Sequence, residues 1–161
     1  MREAKAEDIE VIYMMGYDVW GDKMSQQEYV NSCKNSSKYQ KGKWYVLEDL
    51  NTKELLSSLI VYNLNPSEEI TVRGIGSIAT PIHLRSNGYA AALIKKVIVE
   101  LEEMIHCRHF FLYSDIGVDY YKKLDFIKLP PSKQKYQDSI CMYYSKEFEM
   151  DTLEFEIPAY F

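Results

Sequence analysis

The sequence predicts an α/β fold of the α+β kind, a mixed, mostly antiparallel central sheet with helices on both faces, and three observations carry that expectation. Residues 44–48 and 55–63 are apolar, β-rich runs on either side of Asn51, Thr52 and Lys53, so they read as a hairpin. Residues 70–80 and 108–113 are two further runs of this kind with a long amphipathic helix between them, a strand-helix-strand crossover expected to be right-handed. In that helix Ala90, Ile94, Val97, Leu101 and Ile105 recur at spacings of three and four, while Lys95, Lys96, Glu100, Glu102 and Glu103 fall mostly between them.

The remaining elements follow in order. Residues 2–5 read as a short strand, and Ala6, Glu7 and Asp8 start a helix whose apolar positions Ile9, Ile12, Tyr13 and Tyr17 keep helical spacing to about Trp20. Gly21 and Asp22 break it. Ser25 with Glu28 three residues later is a capping-box signature for a second helix through about Cys33, and residues 35–43 read as polar loop. Asn65, Pro66 and Ser67 turn the chain into the strand 70–80. Beyond the crossover, residues 116–123 read as a short helix, residues 126–129 and 139–144 as strands, and residues 153–157 as a final short one.

At 161 residues, with 47% apolar and 27% charged, the chain has the composition of one globular domain over residues 1–161. No apolar run approaches the ~18 to 20 residues of a membrane span, and the charged start MREAKAED lacks the apolar stretch of a secretory signal, so a cytoplasmic protein is expected. Cys33, Cys107 and Cys141 are odd in number and show no C-x-x-C spacing, which reads as free thiols. His106, Cys107 and His109 straddle a helix-to-strand junction and do not read as a metal site. The formal charge of −5 argues against nucleic acid and anionic membranes as partners and favours the approach of cationic amines. Lys122, Lys123, Lys128, Lys133 and Lys135 form one local basic concentration, read as a solvated face.

Chemistry concentrates where the strand 70–80 reaches Pro81, Arg85 and Gly88 and opens into the long helix. A helix start leaves N–H groups without intrahelical partners at the positive end of the dipole, and this is a ready place for phosphate oxygens. Gly88 lets a ligand approach the backbone, and Arg85 offers a forked, charge-assisted contact. Just upstream, Gly74 to Ala79 satisfies the dinucleotide pattern G-x-G-x-x-A, but the sequence after it is β-rich and closed by Pro81, so the match reads as accidental.

The segment Arg85-Ser86-Asn87-Gly88-Tyr89-Ala90 resembles the coenzyme A motif Gln/Arg-x-x-Gly-x-Gly/Ala of the GCN5-related N-acetyltransferases, the GNAT superfamily. Residues 1–8 resemble that family's opening strand and helix start, and residues 110–126, FFLYSDIGVDYYKKLDF, resemble its strand, short helix and aromatic-rich ending. The resemblance implies that two central parallel strands splay apart and that the pantetheine arm of acetyl-CoA, the acyl donor, lies in the gap. On it the N–H of Ile78 contacts the acetyl carbonyl, Ala79 and Thr80 belong to the coenzyme-binding strand end, and Arg85 through Ala90 wrap the diphosphate.

The resemblance further makes Tyr121 the candidate general acid for the departing thiolate, with Tyr120 as its buried neighbour, while abundant tyrosine leaves core packing as an alternative for either. Ser114 stands where the family often has a coenzyme-binding asparagine, and Asp125 replaces the common glycine before Phe126. No carboxylate or histidine stands in residues 73–77 as a general base; Asp115 and His83 are the nearest candidates, and Asp115 reads equally as a helix cap.

Tyr13, Tyr17, Trp20 and Tyr29 read as core or as walls of an acceptor pocket. Residues 147–156, with five acidic side chains, read as an attractor for a cationic amine, as a solvated edge or as a homodimer contact. The expected activity is acetyl transfer to a primary amine of a small molecule, with a protein or peptide amine, or a non-catalytic acyl-CoA-binding module, as the alternatives.

Overall fold

A computed structural model describes residues 1–146, 156–159 and 161. It contains strands β1 (Arg2–Glu3), β2 (Lys43–Glu48), β3 (Leu55–Asn63), β4 (Val72–Ala79), β5 (His109–Ser114), β6 (Ile127–Lys128) and β7 (Ile140–Tyr144), and helices α1 (Ile9–Met14), α2 (Tyr17–Trp20), α3 (Gln26–Lys34), α4 (Ser37–Lys41), α5 (Tyr89–Ile105) and α6 (Asp119–Lys122). The strands form one mixed sheet in the order β1-β2-β3-β4-β5-β7-β6. Pairs β1–β2, β2–β3, β5–β7 and β6–β7 are antiparallel, and β4–β5 is parallel. The expected final strand at 153–157 and most of the acidic segment 147–156 lie outside the described residues.

The described chain divides into two packing units, Met1–Val61 with Ser77–Val97 and Tyr62–Gly76 with Ile98–Phe161. In the first, Trp44 pairs with Ile60 and Val46 with Ser58, which puts one alternating face of the hairpin against α1 and α4. Tyr39 stacks on Tyr13 at 5.6 Å between ring centres and meets Trp44 edge-on at 5.2 Å. In the second, Val72, Phe111, Leu129, Cys141, Tyr143 and Ile157 form a buried cluster. Gly74 has no side chain because Phe161 fills that space: a Cβ there would sit 2.5 Å from its ring.

Three local expectations are corrected. The first helix does not run unbroken to Trp20: it stops at Met14 and resumes at Tyr17, with Gly16 between. The Trp20 ring occupies the place of a Gly16 side chain, 2.1 Å from where its Cβ would be, and Gly16 O accepts from Trp20 N at 2.9 Å. Residues 35–43 are not all loop, because Ser36 Oγ accepts from Tyr39 N at 3.3 Å and caps α4. Ile105, expected in the buried stripe of α5, is exposed at the end of that helix, whereas Ile94, Val97 and Leu101 are buried.

Elsewhere the local chemistry acts as the residue types require. Ser25 and Glu28 close a reciprocal capping box on α3. Asp49 Oδ1 accepts from Asn51 N and Thr52 N to close the β2–β3 turn, and Lys53 takes φ 63°. Gly74 and Gly76 both lie inside β4, and no helix follows them directly, so the G-x-G-x-x-A match is no dinucleotide turn.

Candidate active site

Two groups of residues carry chemistry, one in each unit. In the first, β4 ends at Ala79, a short 3-10 turn spans Ile82–Leu84, and a loop leads into the 17-residue α5. Ser86 and Gly88 take φ 66° and 79°, so the loop bends twice through the left-handed region before the helix begins. A Cβ on Gly88 would meet nothing within 4 Å, so the space in front of the loop is open. Among the described residues no backbone carbonyl accepts from the N–H groups of residues 86–90, and the first bond of the helix runs from Ala92 N to Gly88 O. Ser86, Asn87 and Gly88 are exposed, and Tyr89 and Ala90 are half-buried.

Side chains hold this loop from outside. Arg85 donates from Nη1 and Nη2 to the two carboxylate oxygens of Asp18 on α2 at 2.8 and 2.7 Å, and from Nε to Thr80 O at 3.0 Å. That fork keeps the Asp18 carboxyl below its ordinary value and raises Arg85. Asn87 Nδ2 donates to Leu84 O at 3.0 Å. His83 meets Glu54 of the β2–β3 turn at 3.3 Å with its side chain 65% exposed.

The end of β4 is fixed as firmly. Ser57 Oγ, fully buried on β3, donates to Ala79 O at 2.8 Å, so Thr80 Oγ1, 3.0 Å away, donates to Ser57. The Ala79 carbonyl is thereby spent on a β3 side chain. Ser77, with φ 44°, interrupts the regular strand just before Ile78. Burial raises the Tyr39 phenol, and the Ser77 side chain opposes that shift.

In the second unit the parallel β4–β5 ladder runs from Val72↔His109 to Gly74↔Phe111, three pairs, and both strands continue beyond it. At the end of β5 the buried Ser114 hydroxyl donates to Gly117 O, and Gly117 takes φ 84°. Asp115 does not cap α6: its Oδ1 accepts from Ser139 Oγ at 2.6 Å. Asp125 stands at φ 65°, in the left-handed region that aspartate tolerates better than most residues.

The two tyrosines of α6 are reversed from expectation. Tyr121 is 7% exposed and Tyr120 36%, because the Tyr121 ring packs edge-on against Phe126 at 6.2 Å, and Phe126 in turn meets Tyr144. Among the described residues no hydrogen bond reaches the Tyr121 hydroxyl. Burial raises its phenol well above the ordinary value, and Tyr120 and Asp115 add to the shift. Of the four candidate pocket aromatics, Tyr13 and Tyr29 are core, Tyr17 donates to Met24 O at 2.6 Å, and Trp20 is exposed over Gly16. Cys33, Cys107 and Cys141 are free and buried. Among the described residues no group of His, Cys, Asp and Glu is placed to hold a metal ion, and no helix is long and apolar enough to cross a membrane.

These features define a class of fold, a mixed sheet whose crossover helix starts in a turn of unspent amides. The chain belongs to the GNAT acetyltransferases: the family model for the acetyltransferase (GNAT) domain matches residues 1–128. Solved structures share the fold at low identity. The spermidine/spermine N-acetyltransferase SpeG from Vibrio cholerae, in mutant forms, is 15% identical over 90% of this chain and 92% of that one, with a TM-score of 0.64. Arabidopsis thaliana NAA60 in complex with acetyl-CoA is 16% identical over 90% and 97%, with a TM-score of 0.61. A probable N-acyltransferase from Enterococcus faecalis is 13% identical over 79% of this chain but only 31% of that one, with a TM-score of 0.62. No curated protein matches the sequence.

Proposed function

We propose that the chain, as one domain over residues 1–161, transfers the acetyl group of acetyl-CoA to a primary amine of a small molecule by direct attack in a ternary complex. One observation carries this reading: the N–H groups of residues 86–90 are unspent at the start of a 17-residue helix, in a loop whose residues 86–88 are exposed. A diphosphate supplies the acceptor oxygens that such a turn lacks. Ile78 offers its N–H to the acetyl oxygen; Thr80 and Ser114 serve the coenzyme only through what their own internal hydrogen bonds leave over.

The neutral amine forms the new C–N bond as the carbonyl becomes an oxyanion, which the Ile78 N–H stabilises. Collapse restores the carbonyl and breaks the C–S bond. Tyr121 is the proton donor: its raised phenol is neutral in the resting enzyme, and it shares its proton with the departing sulfur while the nitrogen sheds one to solvent. Asp115 and His83, already engaged by Ser139 and Glu54, are weak candidates for a base, and water takes the amine proton.

The test is thiol release from acetyl-CoA across a panel of diamines, amino acids and peptides. Turnover with a small amine supports the reading. Turnover with peptides alone moves the acceptor to a protein, and coenzyme binding with no turnover on any amine leaves a binding module.

A further inference from the structure

Arg85, the first residue of the motif, is the natural candidate for a side-chain contact to the diphosphate. Three of its five N–H donors are already committed. Both Nη atoms face the two oxygens of Asp18, 67 positions earlier in sequence, and Nε is bound to Thr80 O. A bidentate fork fixes direction as well as distance, so the guanidinium is aimed at α2 and the end of β4. These contacts lie on the near side of the loop: Thr80 directly follows β4, and Arg85 itself leads into Ser86 and the unspent amides.

We propose that Asp18 is a positioning residue for coenzyme binding, acting through Arg85, which serves as a clasp on the loop and not as a ligand of the diphosphate. This rests on the acetyl-CoA reading above. The clasp joins α2, the end of β4 and the start of the loop, so the N–H groups of residues 86–90 are aimed before the anion arrives. Preorganisation of this kind appears as affinity, because the loop need not be ordered by the ligand. Asp18 touches none of the reacting atoms in this scheme.

The two roles for Arg85 make opposite demands on Asp18. If Arg85 is a clasp, removing the carboxylate loosens the loop and weakens coenzyme binding. If Arg85 is a ligand, removing the carboxylate releases a cation to the phosphates, and binding holds or tightens. The experiment is calorimetric titration of CoA into the full chain and into Asp18→Asn, Arg85→Ala, the double variant and Asp18→Glu.

The expected result is a loss of about twofold to fivefold in affinity for Asp18→Asn. Arg85→Ala should lose a similar factor, the double variant no more than the worse single one, and Asp18→Glu should recover part of the loss. Unchanged or tighter binding by Asp18→Asn beside weak binding by Arg85→Ala would overturn the clasp while leaving the acetyl-CoA reading intact. Additive losses in the double variant would overturn it too. Absence of CoA binding by the unmodified chain would overturn the reading on which the clasp stands, and the clasp with it. Should Asp18→Asn fail to fold, Asp18→Ser carries the same expectation, since it also removes the carboxylate from Arg85, and unchanged or tighter binding by it would overturn the clasp.

Discussion

The turn after β4 and the turn after β5 start alike and end in different chemistry. Each follows a strand, passes through a left-handed glycine and enters a helix: Gly88 at φ 79° before α5, Gly117 at φ 84° before α6. The first is held from outside, by Asp18 and Thr80 on Arg85, and its backbone amides stay free. The second is closed from within by the Ser114 hydroxyl on Gly117 O, and its helix is four residues long. Only the long helix has an appreciable dipole to add at its N-terminus. Under the proposed function, one turn presents backbone to the coenzyme, whereas the other places a side chain, Tyr121.

Substitutions that break this contrast have graded effects. Tyr121→Phe should lower kcat by about a hundredfold or more while CoA affinity stays level, since a general acid typically contributes 10²–10⁴ in rate. Equal turnover by the variant would return Tyr121 to a packing role. Gly88→Trp should remove the rise in melting temperature that acetyl-CoA gives, because the indole fills the open space before the loop; an undiminished rise would separate that space from the ligand.

Smaller effects test the supports. Ser57→Ala leaves Ala79 O without its buried donor and should cost about 1–3 kcal/mol in chemical denaturation, with a loss of coenzyme affinity if the strand end matters for binding. The smallest concerns acid. Arg2 lowers the Asp8 carboxyl below 3.8, with Asp8 buried and Arg2 on both its oxygens. A depressed acid stabilises the fold above its unfolded value and loses that contribution as pH falls through its folded value. Melting temperature should therefore drop on going below about pH 4, and drop less steeply in Asp8→Asn; identical pH profiles would remove Asp8 from the acid response.

What the sequence made legible was whatever local chemistry decides. β3 spans the expected residues because β-rich character and flanking turns set it, and the α3 capping box forms between residues three apart. Contacts between distant residues were not legible. Residues 37–41 are polar, and α4 forms there because Ser36 caps it and Tyr39 finds Tyr13 and Trp44. Trp20 splits the first helix by lying on Gly16, and the inner place in α6 falls to Tyr121 because Phe126 is on its side. At the candidate site the loop was readable from Arg85 to Ala90, but the roles of Asp18, Ser57 and Tyr39 depend on partners 67, 22 and 38 positions away, as the Arg85, Ala79 and Ser77 contacts show.

The most direct measurement follows the backbone amide resonances of residues 86–90 in ¹⁵N-labelled protein during a titration with CoA. Unspent N–H groups that receive a diphosphate should move strongly downfield together and saturate with the same dissociation constant that calorimetry gives. Saturable CoA binding that leaves those five resonances in place would contradict the account.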